Sequence, residues 1–117
     1  MIVAIASENG LVAGHFGRCP GYVLFEIENG GIAWKKEIAN PGHEPGFLPP
    51  YLADLGVQCI IAGGMGSRAQ TLFAEKGIET CTGIQGPIDE AIKDYISGNL
   101  QPGPSSCDHS SGVHNCE

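Results

Sequence analysis

The sequence predicts a single α/β domain of five strands, two of them paired in a hairpin, and three helices, and three observations carry that reading. Residues 2–6 and 57–62 are short apolar runs without polar alternation, as central strands covered on both faces require. Asn29-Gly30-Gly31 is a hairpin signature, because these residues tolerate positive φ, and it adds an antiparallel pair to the sheet. Several segments with apolar residues at helical spacing begin near proline or serine and stop at glycine, which supplies the helical layers.

In chain order, residues 2–6 form the first strand and residues 7–20 a long loop. Residues 22–28, rich in aromatic and branched side chains, form the second strand, and residues 32–38 return antiparallel to it. Residues 40–50 are a glycine and proline loop holding His43 and Glu44. A helix follows through Pro50, Tyr51, Leu52 and Leu55, closed by Gly56. The buried strand 57–62 ends in Gly63-Gly64-Met65-Gly66. Ser67 is then a candidate cap for a helix whose apolar side is Ala69, Leu72 and Phe73, stopped by Gly77. Residues 78–81 form the last strand. Pro87 opens the final helix, with Asp89 and Glu90 where the dipole favours acids and Ile88, Ala91, Ile92, Tyr95 and Ile96 on one face; Gly98 ends it.

The folded domain is expected over residues 1–100. Residues 101–117 change to Pro, Gly, Ser, His and Cys, a composition that cannot bury enough apolar surface to order itself, and are expected to be a flexible Cys/His-rich tail. A chain of 117 residues has room for one core. Thirteen Asp and Glu against six Lys and Arg give a formal charge of −7, which disfavours nucleic acid and anionic membranes as partners. No basic region precedes residues 2–6 and no apolar run approaches membrane-spanning length, so a cytoplasmic protein is expected. Five cysteines, an odd number, argue for reduced thiols rather than a disulfide framework.

Three places can carry chemistry. Gly14-His15-Phe16-Gly17-Arg18-Cys19 gathers an imidazole, a guanidinium and a thiol beside two glycines, so backbone N–H groups and side chains can converge on an anionic or metallic ligand. The alternative is a structural loop in which His15 caps a carbonyl, Cys19 packs as a small apolar group and Arg18 is solvated. Gly63-Gly64-Met65-Gly66-Ser67 is a strand-to-helix turn of the kind that faces anions in open α/β sheets, or simply a tight turn. It matches neither the dinucleotide fingerprint nor a Walker loop.

The third place is the tail. Cys107, His109, His114 and Cys116 are four good ligands in ten residues, able to wrap zinc or copper if the chain turns back at Gly112. Cys59, inside an apolar strand, reads as a packed thiol, and Cys81, at a strand end, as either a packed thiol or a ligand. His43 matters only if its loop folds over His15. An enzyme using Cys19 with His15 as base is the weakest reading, since no third orienting group is visible.

Residues 1–100 together resemble the dinitrogenase iron-molybdenum cofactor biosynthesis family. The resemblance rests on His15-Phe16-Gly17-Arg18-Cys19-Pro20 after the first strand, the hairpin at Asn29-Gly30-Gly31, Asp54-Leu55-Gly56-Val57 leading to Ile61-Ala62-Gly63-Gly64-Met65-Gly66, and Glu90-Ala91-Ile92 before Gly98. It implies a ribonuclease-H-like three-layer α/β/α fold with a five-stranded mixed sheet. It also implies binding of an iron-sulfur or molybdenum-iron-sulfur cluster without turnover, hence no enzyme, and exchange with cluster donor or acceptor proteins. Such a cluster is anionic and presents sulfide edges. His15 or Cys19 would ligate a metal, while Arg18 and the backbone N–H groups of Gly64 and Gly66 would offset its charge. The tail departs from the family's core pattern. It supports a second expectation, a metal-responsive interaction protein that binds zinc or copper there.

Overall fold

A computed structural model describes residues 1–17, 19–40 and 48–98. The elements run β1 (Ile2–Glu8), β2 (Leu11–Val12), β3 (Gly21–Glu28), β4 (Gly31–Ala39), α1 (Leu48–Asp54), β5 (Val57–Ile61), α2 (Ser67–Glu75), β6 (Glu79–Cys81) and α3 (Ile88–Ser97). The sheet is mixed, in the order β4-β3-β1-β5-β6, with β2 paired to β1 off that path. β1 is parallel to β5 and β5 to β6, whereas β3 is antiparallel to both β1 and β4.

All five expected strands and all three expected helices are present, with small differences at their ends. The sixth strand was not expected. β1 runs on to Glu8 and turns back at Asn9 and Gly10, whose φ values of 56° and 81° are those of a two-residue hairpin turn. Ser7 pairs with Gly21 of β3 on one edge and with Val12 of β2 on the other. β2 therefore lies on the β5 side of β1, in the space beyond the end of β5.

Alternation along the central strands sends side chains into two cores. Ala4, Ala6, Tyr22, Leu24 and Ile60 pack under α1 and α2, which contribute Leu48, Leu52 and Phe73. Val3, Ile5, Val23, Phe25, Cys59 and Ile61 pack under α3 through Ile88, Ala91 and Ile92. The molecule is thus helix, sheet, helix, and the unbroken apolar character of β1 and β5 follows from burial on both faces.

Two helix starts differ from expectation. Gly66 holds the cap position of α2 in extended conformation with no side-chain cap, so Ser67 is the first helical residue. Pro87 is likewise the residue before α3 begins, where its fixed φ of −63° suits the entry. Gly98 closes α3 at φ 80°, as expected. Among the described residues no helix is long and apolar enough to cross a membrane.

Candidate functional site

The loops that follow the parallel strands β1, β5 and β6 emerge at one edge of the sheet, where ligands of open α/β folds sit. Two of them are the loops singled out in the sequence, and they touch. Gly63 donates its N–H to the Ala13 carbonyl at 2.9 Å, and Phe16 donates to the Gly64 carbonyl at 2.9 Å. The third loop joins through Gly83, whose N–H reaches the Gly63 carbonyl at 2.8 Å. A Cβ on Gly63 would stand 2.9 Å from the Gly14 Cα and 3.0 Å from the Ala13 carbonyl oxygen, so only glycine allows this approach.

The segment carrying His15 is fixed from below. Phe16 packs edge-on against Phe73 of α2, with ring centroids 5.2 Å apart, and tilted against Tyr22 of β3 at 5.7 Å. Asn40 ties its far end, donating from Nδ2 to the carbonyls of Gly17 at 3.1 Å and Cys19 at 2.8 Å. Gly17 adopts φ 94°, a conformation that side chains avoid. Between these anchors His15 is exposed. Among the described residues nothing lies within 4 Å of the position of a Cβ on Gly14 or on Gly66.

Cys19 is placed differently from His15. It is buried, and its thiol donates to the Gly21 carbonyl at 3.2 Å, so it must give up that bond to ligate a metal. Gly64 is buried within the junction of the loops, and Gly66 is exposed at the helix entry. Arg18 lies outside the described residues, as do His43, Glu44 and the tail ligands Cys107, His109, His114 and Cys116. Among the described residues no three His, Cys, Asp or Glu side chains gather into a metal-binding group.

The roles of three residues of this site were not signalled in the sequence. Phe16 and Asn40 read as loop residues, yet they hold the loop. Tyr22 reads as one more apolar strand position. Its hydroxyl is buried with no hydrogen-bond partner among the described residues, and burial followed by the neighbouring Cys19 thiol drives its acidity far down. A shallow depression of about 400 Å³ lined by Ser7, Asn9, Gly21, Glu37 and Ala39 lies on the neighbouring strands and takes in neither His15 nor Gly64.

Two further cysteines lie on β5 and β6. Cys59 is fully buried with its pKa pushed up to about 12, chiefly by burial, so it is an inert packed thiol. Its sulfur lies 3.9 Å from that of Cys81. Cys81 is disulfide-bonded, which corrects the expectation of reduced thiols at that position.

Fold and site together define a small α/β domain that presents an anchored histidine loop against a glycine turn at one edge of a mixed sheet. Residues 1–98 match the dinitrogenase iron-molybdenum cofactor family, and the chain belongs to it. The protein MJ0580 of Methanocaldococcus jannaschii is 35% identical over 106 residues, which cover 86% of this chain and 90% of that one. The crystal structure of PH0822 superposes with a TM-score of 0.82 at 34% identity, covering 87% of this chain and 94% of that chain. The apo form of the orange protein from Desulfovibrio gigas has the same fold, with a TM-score of 0.75 at 21% identity over 89% of this chain and 93% of that chain.

Proposed function

We propose that this protein is a non-enzymatic carrier or scaffold, built on a ribonuclease-H-like fold and working in the cytosol, whose cargo is an iron-sulfur or molybdenum-iron-sulfur cluster. Family membership supports the cargo class. The observation that carries the reading is that His15 is exposed on a loop anchored to the glycine turn after β5, with nothing among the described residues within 4 Å of a Cβ on Gly14. An anionic cluster there meets an imidazole donor and the positive end of α2. Cys19 is a second donor after it leaves the Gly21 carbonyl, and Arg18, by its charge, favours the same cargo. A cargo held by so few side chains can be passed on to an acceptor protein.

The test supplies iron and sulfide anaerobically, with and without molybdate, to the full chain, to His15→Ala and to a chain ended after Gly103. Bound metal, sulfide and visible charge-transfer absorption are then counted. The full and shortened chains are expected to hold stoichiometric cluster, with His15→Ala retaining it at least about tenfold more weakly. Metal lost only with the tail would replace this reading by the other, in which Cys107, His109, His114 and Cys116 bind zinc or copper and the domain docks a partner in response.

A further inference from the structure

We propose that two copies of this chain join through the outer edges of β4, in antiparallel register about a two-fold axis at Lys36, to make one continuous sheet. β4 is nine residues long and occupies an end of the sheet, with β3 on its inner side. Every residue from Gly31 to Glu37 is exposed, including Ile32 and Trp34 at 46% and 42%. An exposed strand of this length is a template for pairing.

The backbone itself selects which residues face outward. Asn40 donates its N–H to the Pro20 carbonyl at 3.0 Å, so the pair Asn40 and Pro20 is a hydrogen-bonded one. Such pairs alternate along an antiparallel ladder. Ile38, Lys36 and Trp34, opposite Tyr22, Leu24 and Glu26, therefore direct their backbone groups at β3. Ala39, Glu37 and Lys35 direct theirs away from the sheet.

A two-fold axis normal to the sheet requires facing residues to lie on the same side of it, which leaves a few registers. With the axis at Lys35, that lysine opposes itself. With the axis at Glu37, two carboxylates oppose each other. With the axis at Lys36, Lys35 faces Glu37 of the other copy twice, and each pair exchanges two backbone hydrogen bonds. Trp34 then faces Ile38, which is half-buried against the core beside Tyr22; the regular register of β4 on β3 ends at Trp34, where a bulge at Ala33 interrupts it. Charge and apolar surface are complementary in this register alone. Lys36 opposes its own copy across the axis, an unfavourable contact that two long solvated side chains reduce by diverging. The pair between Lys35 and Asp89, 4.0 Å apart and exposed on both sides, is a weak competitor for Lys35.

The symmetry supplies a decisive test. Sedimentation of the full chain from low micromolar to near-millimolar concentration is expected to reveal a reversible dimer. Association should shift the fluorescence of Trp34, the sole tryptophan, to shorter wavelength. Lys35→Glu and Glu37→Lys each place like charges opposite one another twice, and each should weaken the dimer by about tenfold or more. The double exchange restores opposite charges and should return affinity to within about threefold of the parent. Both positions are exposed, so circular dichroism should be unchanged in all variants. A chain that stays monomeric at every concentration, a dimer indifferent to either single reversal, or a double exchange that fails to restore association would overturn the proposal.

Discussion

The chain uses one turn twice with opposite results. Glu8-Asn9-Gly10 and Glu28-Asn29-Gly30 are the same three residues, and their backbones match, with φ of 56° and 81° in the first and 54° and 78° in the second. After the second turn the chain runs on for nine residues as β4; after the first it holds only two residues of strand. The turn cannot be the cause of that difference. β4 returns along a free edge of β3, whereas β2 returns along an edge of β1 that β5 already fills as far as Ile5. Past Val12 the chain meets the end of β5 and has to leave the sheet. It does so over Gly63, and this exit lifts His15 to the surface. One hairpin makes an edge and the other makes a site.

The sharpest way to break the contrast is Gly63→Ala. The new methyl carbon meets backbone atoms at 2.9 and 3.0 Å, and backbone cannot swing aside as a side-chain tip would. The expected loss of stability is about 1–3 kcal/mol, the usual range for overpacking, read from the denaturant midpoint. The edge hairpin should be untouched, so amide shifts should move in residues 13–17 and 62–66 and stay fixed in β3 and β4. Equal shifts in both hairpins would mean that the exit over Gly63 is not what separates them.

A smaller effect compares the turns themselves. Gly10→Ala and Gly30→Ala each force a side chain into the left-handed region, at about 1–2 kcal/mol. Gly10 carries a further duty, since its carbonyl accepts the N–H of Ile88 at the start of α3 and the chain beyond it leads into the site. Gly10→Ala should therefore cost more than Gly30→Ala in chemical denaturation and should also lower cluster retention. Gly30→Ala should leave retention unchanged. Loss of retention in both variants alike would remove the distinction between site hairpin and edge hairpin.

Much of this was legible in the sequence, because the signals were local. Unbroken apolar runs marked β1 and β5, and glycine ended the helices where αL conformations are now seen at Gly77 and Gly98. The hairpin at Asn29 was legible because a long branched strand follows it. Its twin at Asn9 was not, since the two strand residues after it leave no alternation to detect. The site was legible in part. Both loops stood out by their glycines and reactive side chains, but nothing along the chain says that Gly63 lies on Gly14, a contact between residues far apart in sequence. Tyr22 escaped for another reason. In a strand its aromatic ring is explained by packing, and only the fold reveals that its hydroxyl is buried beside the Cys19 thiol.

The smallest effect on stability makes the closest test of the site. Gly14 has no positive φ and nothing within 4 Å of where a Cβ would sit, so the fold itself does not demand glycine there. Gly14→Ala should leave stability unchanged or raise it by about 0.4–1 kcal/mol, through the unfolded chain's lost freedom. If cargo sits on the open ground beside His15, the same methyl group occupies that ground, and cluster retention should fall although the fold gains. Stability and retention would then move in opposite directions, which general destabilisation cannot produce. Retention equal to the parent's would mean that cargo does not lie over Gly14.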